Sequence, residues 1–116
     1  MEEKNRHVCI ILCVHPKVVE MKEVAEMIYG IEEEGVPHRL AVSEELDLQA
    51  LAEEAVFHSR LGVGIGIDAD GWAALYQEKL PEGHFLFKDR IVNARRSLRD
   101  MGSDAARLVK GMPFKM

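Results

Sequence analysis

The strongest constraint on the fold is a continuous apolar run at residues 8–14, near the start of the 116-residue chain. A strand that is apolar at successive positions is typical of a sheet with both faces covered. His15 and Pro16 end a strand predicted over residues 7–14. The next segment, residues 18–34, predicts an amphipathic helix, because its apolar residues recur at intervals of three or four, at Met21, Val24, Ile28 and Ile31.

Strand and helix signals continue to alternate along the chain. Gly35 ends the first helix with Pro37 just beyond it, and Ser43 is a candidate N-cap for the second helix. Further strands are predicted at residues 36–42, 61–67, 72–77 and 84–87. Further helices are predicted at residues 43–58, 89–101 and 103–110.

The order of these elements predicts the fold class. Alternating strands and helices indicate a mostly parallel sheet with helices on both faces. Residues 68–71 leave room only for a tight turn, so the strands on either side of it are expected to be antiparallel. The prediction is an α/β protein: a single three-layer α/β/α domain over residues 1–116, with a mixed, mostly parallel five-stranded sheet.

Charge and composition argue against several partner classes. The formal net charge is −5 and no basic stripe is present, so no nucleic-acid partner is expected. No apolar run reaches 18 residues, so no membrane partner is expected. The start of the chain has no signal-peptide pattern, which predicts a cytoplasmic location. Cys9 and Cys13 would lie about 13 Å apart on one strand face, too far for a disulfide, and are expected to be reduced core residues.

A glycine motif supports an alternative function. Gly62, Gly64 and Gly66 suggest a nucleotide-binding loop, and hence a free-standing α/β nucleotide- or phospho-ligand-binding domain. However, these glycines alternate within a predicted strand, and a hairpin rather than a helix follows them. Close packing of a helix against the sheet explains them more simply.

No set of residues predicts catalysis. Asp68 and Asp70 are typical of a turn, and the chain offers no further acids at the spacing that a calcium loop would need. The five histidines form no ligand pair, and no serine occupies a Gly-x-Ser-x-Gly turn. The sequence therefore predicts a protein that is not an enzyme.

Three consecutive acids at the end of the first predicted helix are the most unusual charge pattern. Glu32, Glu33 and Glu34 oppose the helix dipole and repel one another. Because a bound divalent cation or a basic partner would offset this repulsion, the pattern indicates a binding site for one of them. An ordinary solvated helix end remains the alternative.

Residues 105–114 are predicted to form a docking element as well as the end of a helix that covers the sheet. Arg107 and Lys110 share one face near the helix end, where positive charge is favourable. Gly111 stops the helix, and Pro113 fixes the direction in which Phe114 leaves. An aromatic residue beside two cations favours contact with a partner.

Two segments carry a family resemblance: GIEEEGVPHRL at residues 30–40 and AARLVKGMPF at residues 105–114. They resemble the small (beta) subunit of the diol/glycerol dehydratase reactivase, the reactivating factor of coenzyme B12-dependent dehydratases. The resemblance implies an anticodon-binding-domain-like fold, related to the dehydratase medium subunit. It also implies a non-catalytic, chaperone-like subunit that pairs with an actin-like ATPase large subunit in a heterotetramer. By transient exchange with a dehydratase subunit, this factor would release damaged cobalamin.

The resemblance also implies cofactors and site residues. No cofactor is expected on this chain alone, and ADP or ATP would bind to the large subunit. Glu33 would ligate Mg²⁺ or Ca²⁺ at the interface with the large subunit. His38 stands where some relatives carry an aromatic residue. The client, glycerol or propanediol dehydratase, and any association with a bacterial microcompartment are left open. The remaining residues expected at the partner interface are Glu32, Glu34, Gly35, Pro37, Arg39, Arg107, Lys110 and Phe114.

Overall fold

A computed structural model describes residues 7–111, which form a mixed five-stranded sheet and three α-helices. The strands are β1 (Ile10–Val14), β2 (His38–Val42), β3 (Val63–Ile67), β4 (Trp72–Gln77) and β5 (Phe87–Arg90). The helices are α1 (Lys22–Glu33), α2 (Leu48–His58) and α3 (Leu98–Lys110). The sheet order is β2-β1-β3-β4-β5. Strands β1, β2 and β3 are parallel, and the β3–β4 and β4–β5 pairs are antiparallel, which confirms the predicted mixed sheet.

Strand β1, which lies between β2 and β3, is buried along its whole length, as its continuous apolar sequence predicts. Ile10, Leu12 and Val14 join the larger core, under α1 and α3. Ile11 and Cys13 belong to a second cluster, under α2. Both cysteines are buried and free of disulfide bonds, and burial raises the pKa of the Cys13 thiol to about 12. The prediction of reduced core cysteines is therefore confirmed.

The alternating glycines allow α2 to lie close to the sheet. A Cβ added to Gly64 would lie 2.6 Å from the Ala55 Cβ, and one added to Gly66 would lie 2.6 Å from the Ala52 backbone nitrogen. These two glycines therefore serve helix packing and do not form a nucleotide loop. Gly62 precedes β3 with φ 73°, so the prediction that it belongs to the strand was wrong.

The segment before α3 differs most from the sequence prediction. The expected strand at residues 84–87 lies instead at Phe87–Arg90, and no helix occupies residues 89–97. The two helices expected at 89–101 and 103–110 are in fact one helix, α3, whose N-cap Ser97 accepts a hydrogen bond from the Asp100 backbone N–H at 3.3 Å.

The boundary between the two predicted helices falls at Gly102, which instead lies inside α3 where it crosses α1. A Cβ at Gly102 would lie 1.8 Å from the Met27 carbonyl oxygen, and one at Gly30 would lie 1.9 Å from the Arg99 carbonyl oxygen. The two helices therefore touch backbone to backbone on one side of the sheet, and α2 lies on the other.

Helix starts are also later than the sequence suggests. Helix α1 begins at Lys22 rather than at residue 18. Helix α2 is capped by Asp47, whose carboxylate accepts a hydrogen bond from the Ala50 backbone N–H at 2.9 Å. Ser43 is not the N-cap; its hydroxyl accepts a hydrogen bond from Glu45 N–H in the preceding loop. Among residues 7–111, no helix has the length and apolar character needed to cross a membrane.

Candidate partner-binding site

The acidic end of α1 is held against α3 through Glu34. The Glu34 carboxylate accepts hydrogen bonds from the Ser103 hydroxyl at 2.6 Å, Arg107 Nε at 3.2 Å and Lys110 Nζ at 3.0 Å. Lys110 also donates to the Glu34 carbonyl oxygen at 2.8 Å, which satisfies one of the free carbonyls at the helix end. The cations of α3 thus offset the unfavourable charge that Glu34 places at the C-terminus of α1.

These contacts change the acidity of Glu34. The hydrogen bond from Ser103 and then the one from Lys110 lower the pKa of the Glu34 carboxyl to about 2, and burial opposes them only in part. The carboxylate form is therefore the one that the fold stabilises. Glu34 positions the neighbouring acids rather than offering a free carboxylate to a partner.

The lowered pKa predicts a pH dependence of stability that Glu34→Gln should weaken. Because the folded-state pKa of about 2 lies below the ordinary value of 4.5, the carboxylate contributes its full stability above about pH 5. That contribution is lost as the pH falls through about 2. We expect the urea midpoint of the native chain to fall more steeply than that of Glu34→Gln between pH 5 and about pH 2. Glu32→Gln, which changes an exposed side chain, is the control. Parallel curves for the native chain and Glu34→Gln would contradict the assignment.

Glu33 is more accessible than Glu34. Glu33 Oε2 lies 3.1 Å from Arg99 Nη1, and the Glu33 side chain is 44% exposed. The same guanidinium contacts Glu26 Oε1 at 3.1 Å and lies over the Tyr29 ring, 5.5 Å from its centroid. Ion pairs this exposed contribute little to stability. The Glu33 carboxylate can therefore exchange Arg99 for another cation at small cost.

The described residues meet only part of the requirement for a metal site. Within residues 7–111, no group of three His, Cys, Asp or Glu side chains could hold a metal ion. Carboxylate oxygens suit Mg²⁺ and Ca²⁺, so the chemistry of Glu33 fits such an ion. A single carboxylate supplies one ligand, and the others would have to come from a partner.

The other predicted interface residues fall into two groups. Glu32 lies 3.9 Å from His38 Nε2, and Gly35 has φ 76° with open space around it. The Pro37 carbonyl accepts a hydrogen bond from Ile10 N–H, and all three residues lie within four positions of Glu33 in the chain. Arg107 and Lys110 join this group through Glu34. The position of Arg39 on β2 puts it on the face toward α2, away from α1. Phe114 lies outside the described residues.

A groove on the α2 face was not predicted from the sequence. Its volume is about 290 Å³. It forms beside β2, where α2 covers β1, β3 and β4 and leaves β2 open. No local pattern in the sequence indicates it, because its walls come from three separate segments. The residues that line it are His7, Ile11, Arg39, Leu40, Ala41, Glu54 and His58.

Comparison with known proteins identifies the family. The dehydratase medium subunit family matches residues 9–115, and the chain belongs to this family. The chain is 34% identical to a probable glycerol dehydratase-reactivating factor small subunit of Citrobacter freundii, over 89% of each chain. It is 38% identical to the propanediol dehydratase-reactivating factor small subunit of Salmonella typhimurium, over 78% of this chain and 77% of that one.

Solved structures agree with the sequence relatives. A glycerol dehydratase reactivase chain superposes with a TM-score of 0.87 at 31% identity, covering 95% of this chain and 98% of that one. A chain of a diol dehydratase-reactivating factor complexed with ADP and Mg²⁺ superposes with a TM-score of 0.84 at 32% identity, covering 95% and 99%. The resemblance seen in residues 30–40 and 105–114 is therefore confirmed along almost the whole chain.

Proposed function

We propose that this chain is the non-catalytic small subunit of a reactivating factor for a coenzyme B12-dependent diol or glycerol dehydratase. It pairs with an ATPase large subunit in a cytoplasmic heterotetramer. The factor exchanges this chain with a dehydratase subunit, and damaged cobalamin then leaves the enzyme. The observation that carries the proposal is the similarity, in sequence and in fold, to small subunits of reactivating factors over about nine-tenths of the chain.

The family match supports the exchange of subunits. The matching family is named after the dehydratase medium subunit, whereas the similar relatives are small subunits of reactivating factors. A chain with the fold of a dehydratase subunit can compete for the surface that such a subunit occupies. Competition of this kind requires a complementary surface and no catalytic groups.

The proposed large-subunit surface is centred on Glu33, at the acidic end of α1. Glu33 would hold Mg²⁺ or Ca²⁺ together with oxygen ligands from the large subunit, and Arg99 would then keep its contact with Glu26. Nucleotide would bind to the large subunit, in keeping with the related factor that was solved with ADP and Mg²⁺. Around Glu33, the proposed interface includes Glu32, Gly35 and Pro37, while Glu34, Arg107 and Lys110 hold this end of α1 in position. Phe114 and Arg39 are also proposed for the interface, but Arg39 would meet the partner on the face toward α2.

Glu33→Gln tests the proposal. We expect the variant to bind the large subunit about 30-fold more weakly in the presence of Mg²⁺, about 2 kcal/mol, because an interface cation loses a charged ligand. The dissociation constant is measured by titrating labelled small subunit with purified large subunit. Glu26→Gln is a matched control, since Glu26 shares Arg99 with Glu33 and lies outside the proposed surface.

The outcomes separate the two parts of the proposal. If the native chain forms no complex with the large subunit, the proposed function is wrong. If the complex forms and Glu33→Gln binds like the native chain, the metal role of Glu33 is wrong while the pairing stands. An equal loss in Glu26→Gln would show that the effect comes from releasing Arg99.

A further inference from the structure

Strand β2 forms one edge of the sheet, with no strand on its outer side in the described part of the chain. Its parallel pairing with β1 is framed by two hydrogen bonds, from Ile10 N–H to the Pro37 carbonyl at 2.9 Å and from Ser43 N–H to the Val14 carbonyl at 3.0 Å. In a parallel ladder with these two bonds, the backbone N–H and C=O groups of Arg39 and Ala41 point toward β1. The backbone N–H and C=O groups of His38, Leu40 and Val42 consequently point outward.

The side chains of this edge are exposed as well. Leu40 is 43% exposed and Val42 is 58% exposed, although both belong to a regular strand. Helix α2 leaves β2 uncovered on one face, and α1 makes few contacts with it on the other. An edge that combines free backbone groups with exposed apolar side chains is a template for pairing with another strand.

We infer that β2 pairs antiparallel with β2 of a second copy of this chain about a two-fold axis. In the symmetric register, Leu40 lies opposite Leu40 of the second copy, and His38 lies opposite its Val42. All these residues have outward-pointing backbone groups, so each pair can form both hydrogen bonds of an antiparallel hydrogen-bonded pair. The apolar side chains of Leu40 and Val42 become covered on the same face.

Charge favours a second copy in this orientation. Arg39 lies opposite Ala41 of the second copy and not opposite another arginine. Arg39, Ala41 and Glu54 line the same groove in each copy, so the pairing brings Arg39 of one copy to the side of the sheet that carries Glu54 of the other. In-register parallel pairing would instead place Arg39 beside Arg39. A two-fold contact also closes on itself, because each copy contributes the same surface.

Light scattering coupled to size exclusion tests this pairing on the full chain without its large subunit. We expect a mass twice the monomer value of 13.1 kDa at high concentration, decreasing on dilution. Leu40→Lys places two ammonium groups opposite each other at the axis and should weaken the dimer at least tenfold. Leu46→Lys is the matched control, because Leu46 is 73% exposed and lies outside β2. Far-UV circular dichroism verifies that both variants fold.

Cross-linking supplies a second measurement. Leu40→Cys should give a covalent dimer with a short bismaleimide, and Leu46→Cys should not. Cys9 and Cys13 do not compete for the reagent, because both are buried and burial raises the pKa of each thiol.

Three results would overturn the inference. The native chain could remain at 13.1 kDa at every concentration, or Leu40→Lys could dimerise like the native chain. The third result is a monomeric native chain whose binding to the large subunit is weakened by Leu40→Lys. In that case the edge receives a strand of the large subunit instead. Because the main test uses the isolated chain, its failure is distinguishable from a failure of the proposed function.

Discussion

Replacing Arg96 with alanine is expected to lower the free energy of unfolding by about 3 kcal/mol, because it leaves a buried carboxylate without its guanidinium. The Asp104 side chain is completely buried within α3 and forms an ion pair with Arg96, whose own side chain is 30% exposed. Removing one member of a buried pair costs about 3–5 kcal/mol, and the partial exposure of Arg96 places this case at the lower end.

The neighbouring Arg95→Ala provides the control for Arg96. Arg95 is exposed and donates its backbone N–H to Asp89 at 3.0 Å, a bond that alanine retains. Arg95→Ala should change the free energy of unfolding by no more than about 0.5 kcal/mol. Urea denaturation measures both variants, and Arg96→Lys should recover part of the loss because it restores the charge. Equal stabilities for Arg96→Ala and Arg95→Ala would show that the ion pair between Arg96 and Asp104 does not contribute to stability.

Gly102→Ala is the second substitution with a large expected effect. Helix propensity alone predicts that alanine would stabilise α3 by about 1 kcal/mol. The new Cβ, however, would lie 1.8 Å from the Met27 carbonyl oxygen, which is backbone and cannot rotate away. Helices α1 and α3 must separate, and we expect a net loss of about 3 kcal/mol in the free energy of unfolding.

Gly111→Ala separates this steric effect from the backbone preference of glycine. Gly111 has φ 71° and no atom within 4 Å of an added Cβ, so alanine should cost only about 1 kcal/mol there. Thermal or urea unfolding with circular dichroism compares the two variants. A stability gain in Gly102→Ala would mean that the helices do not cross as closely as described. Gly30→Ala combined with Gly102→Ala should be less than additive, because either change alone already separates the helices.

The parts of the fold that follow from local patterns could be predicted from the sequence. The apolar run of β1 requires that both faces of the sheet be covered. The turn at residues 68–71 is too short for a crossover, so β4 must run antiparallel to β3. The α3 region could not be predicted in the same way. A glycine between helical segments signals either a break or a close crossing, and only the position of Met27 on another helix decides between them.

The candidate site was predicted in outline but not in its contacts. Three adjacent acids at a helix end are visible in the sequence, as is the shared face of Arg107 and Lys110. The sequence does not show that these two features meet, because Ser103, Arg107 and Lys110 reach Glu34 from 69 to 76 positions away. The three acids therefore differ in role: Glu34 is an internal contact, whereas Glu32 and Glu33 are accessible carboxylates.

The contact between Glu34 and Lys110 has a consequence for synthesis on the ribosome. The end of α1 is made early, but the side chains that hold it in position belong to α3, and Lys110 follows Glu34 by 76 residues. A nascent chain that lacks α3 carries three adjacent acids with neither Arg99 nor Lys110 to offset them. The acidic end of α1 can therefore take its final shape only after α3 has left the exit tunnel.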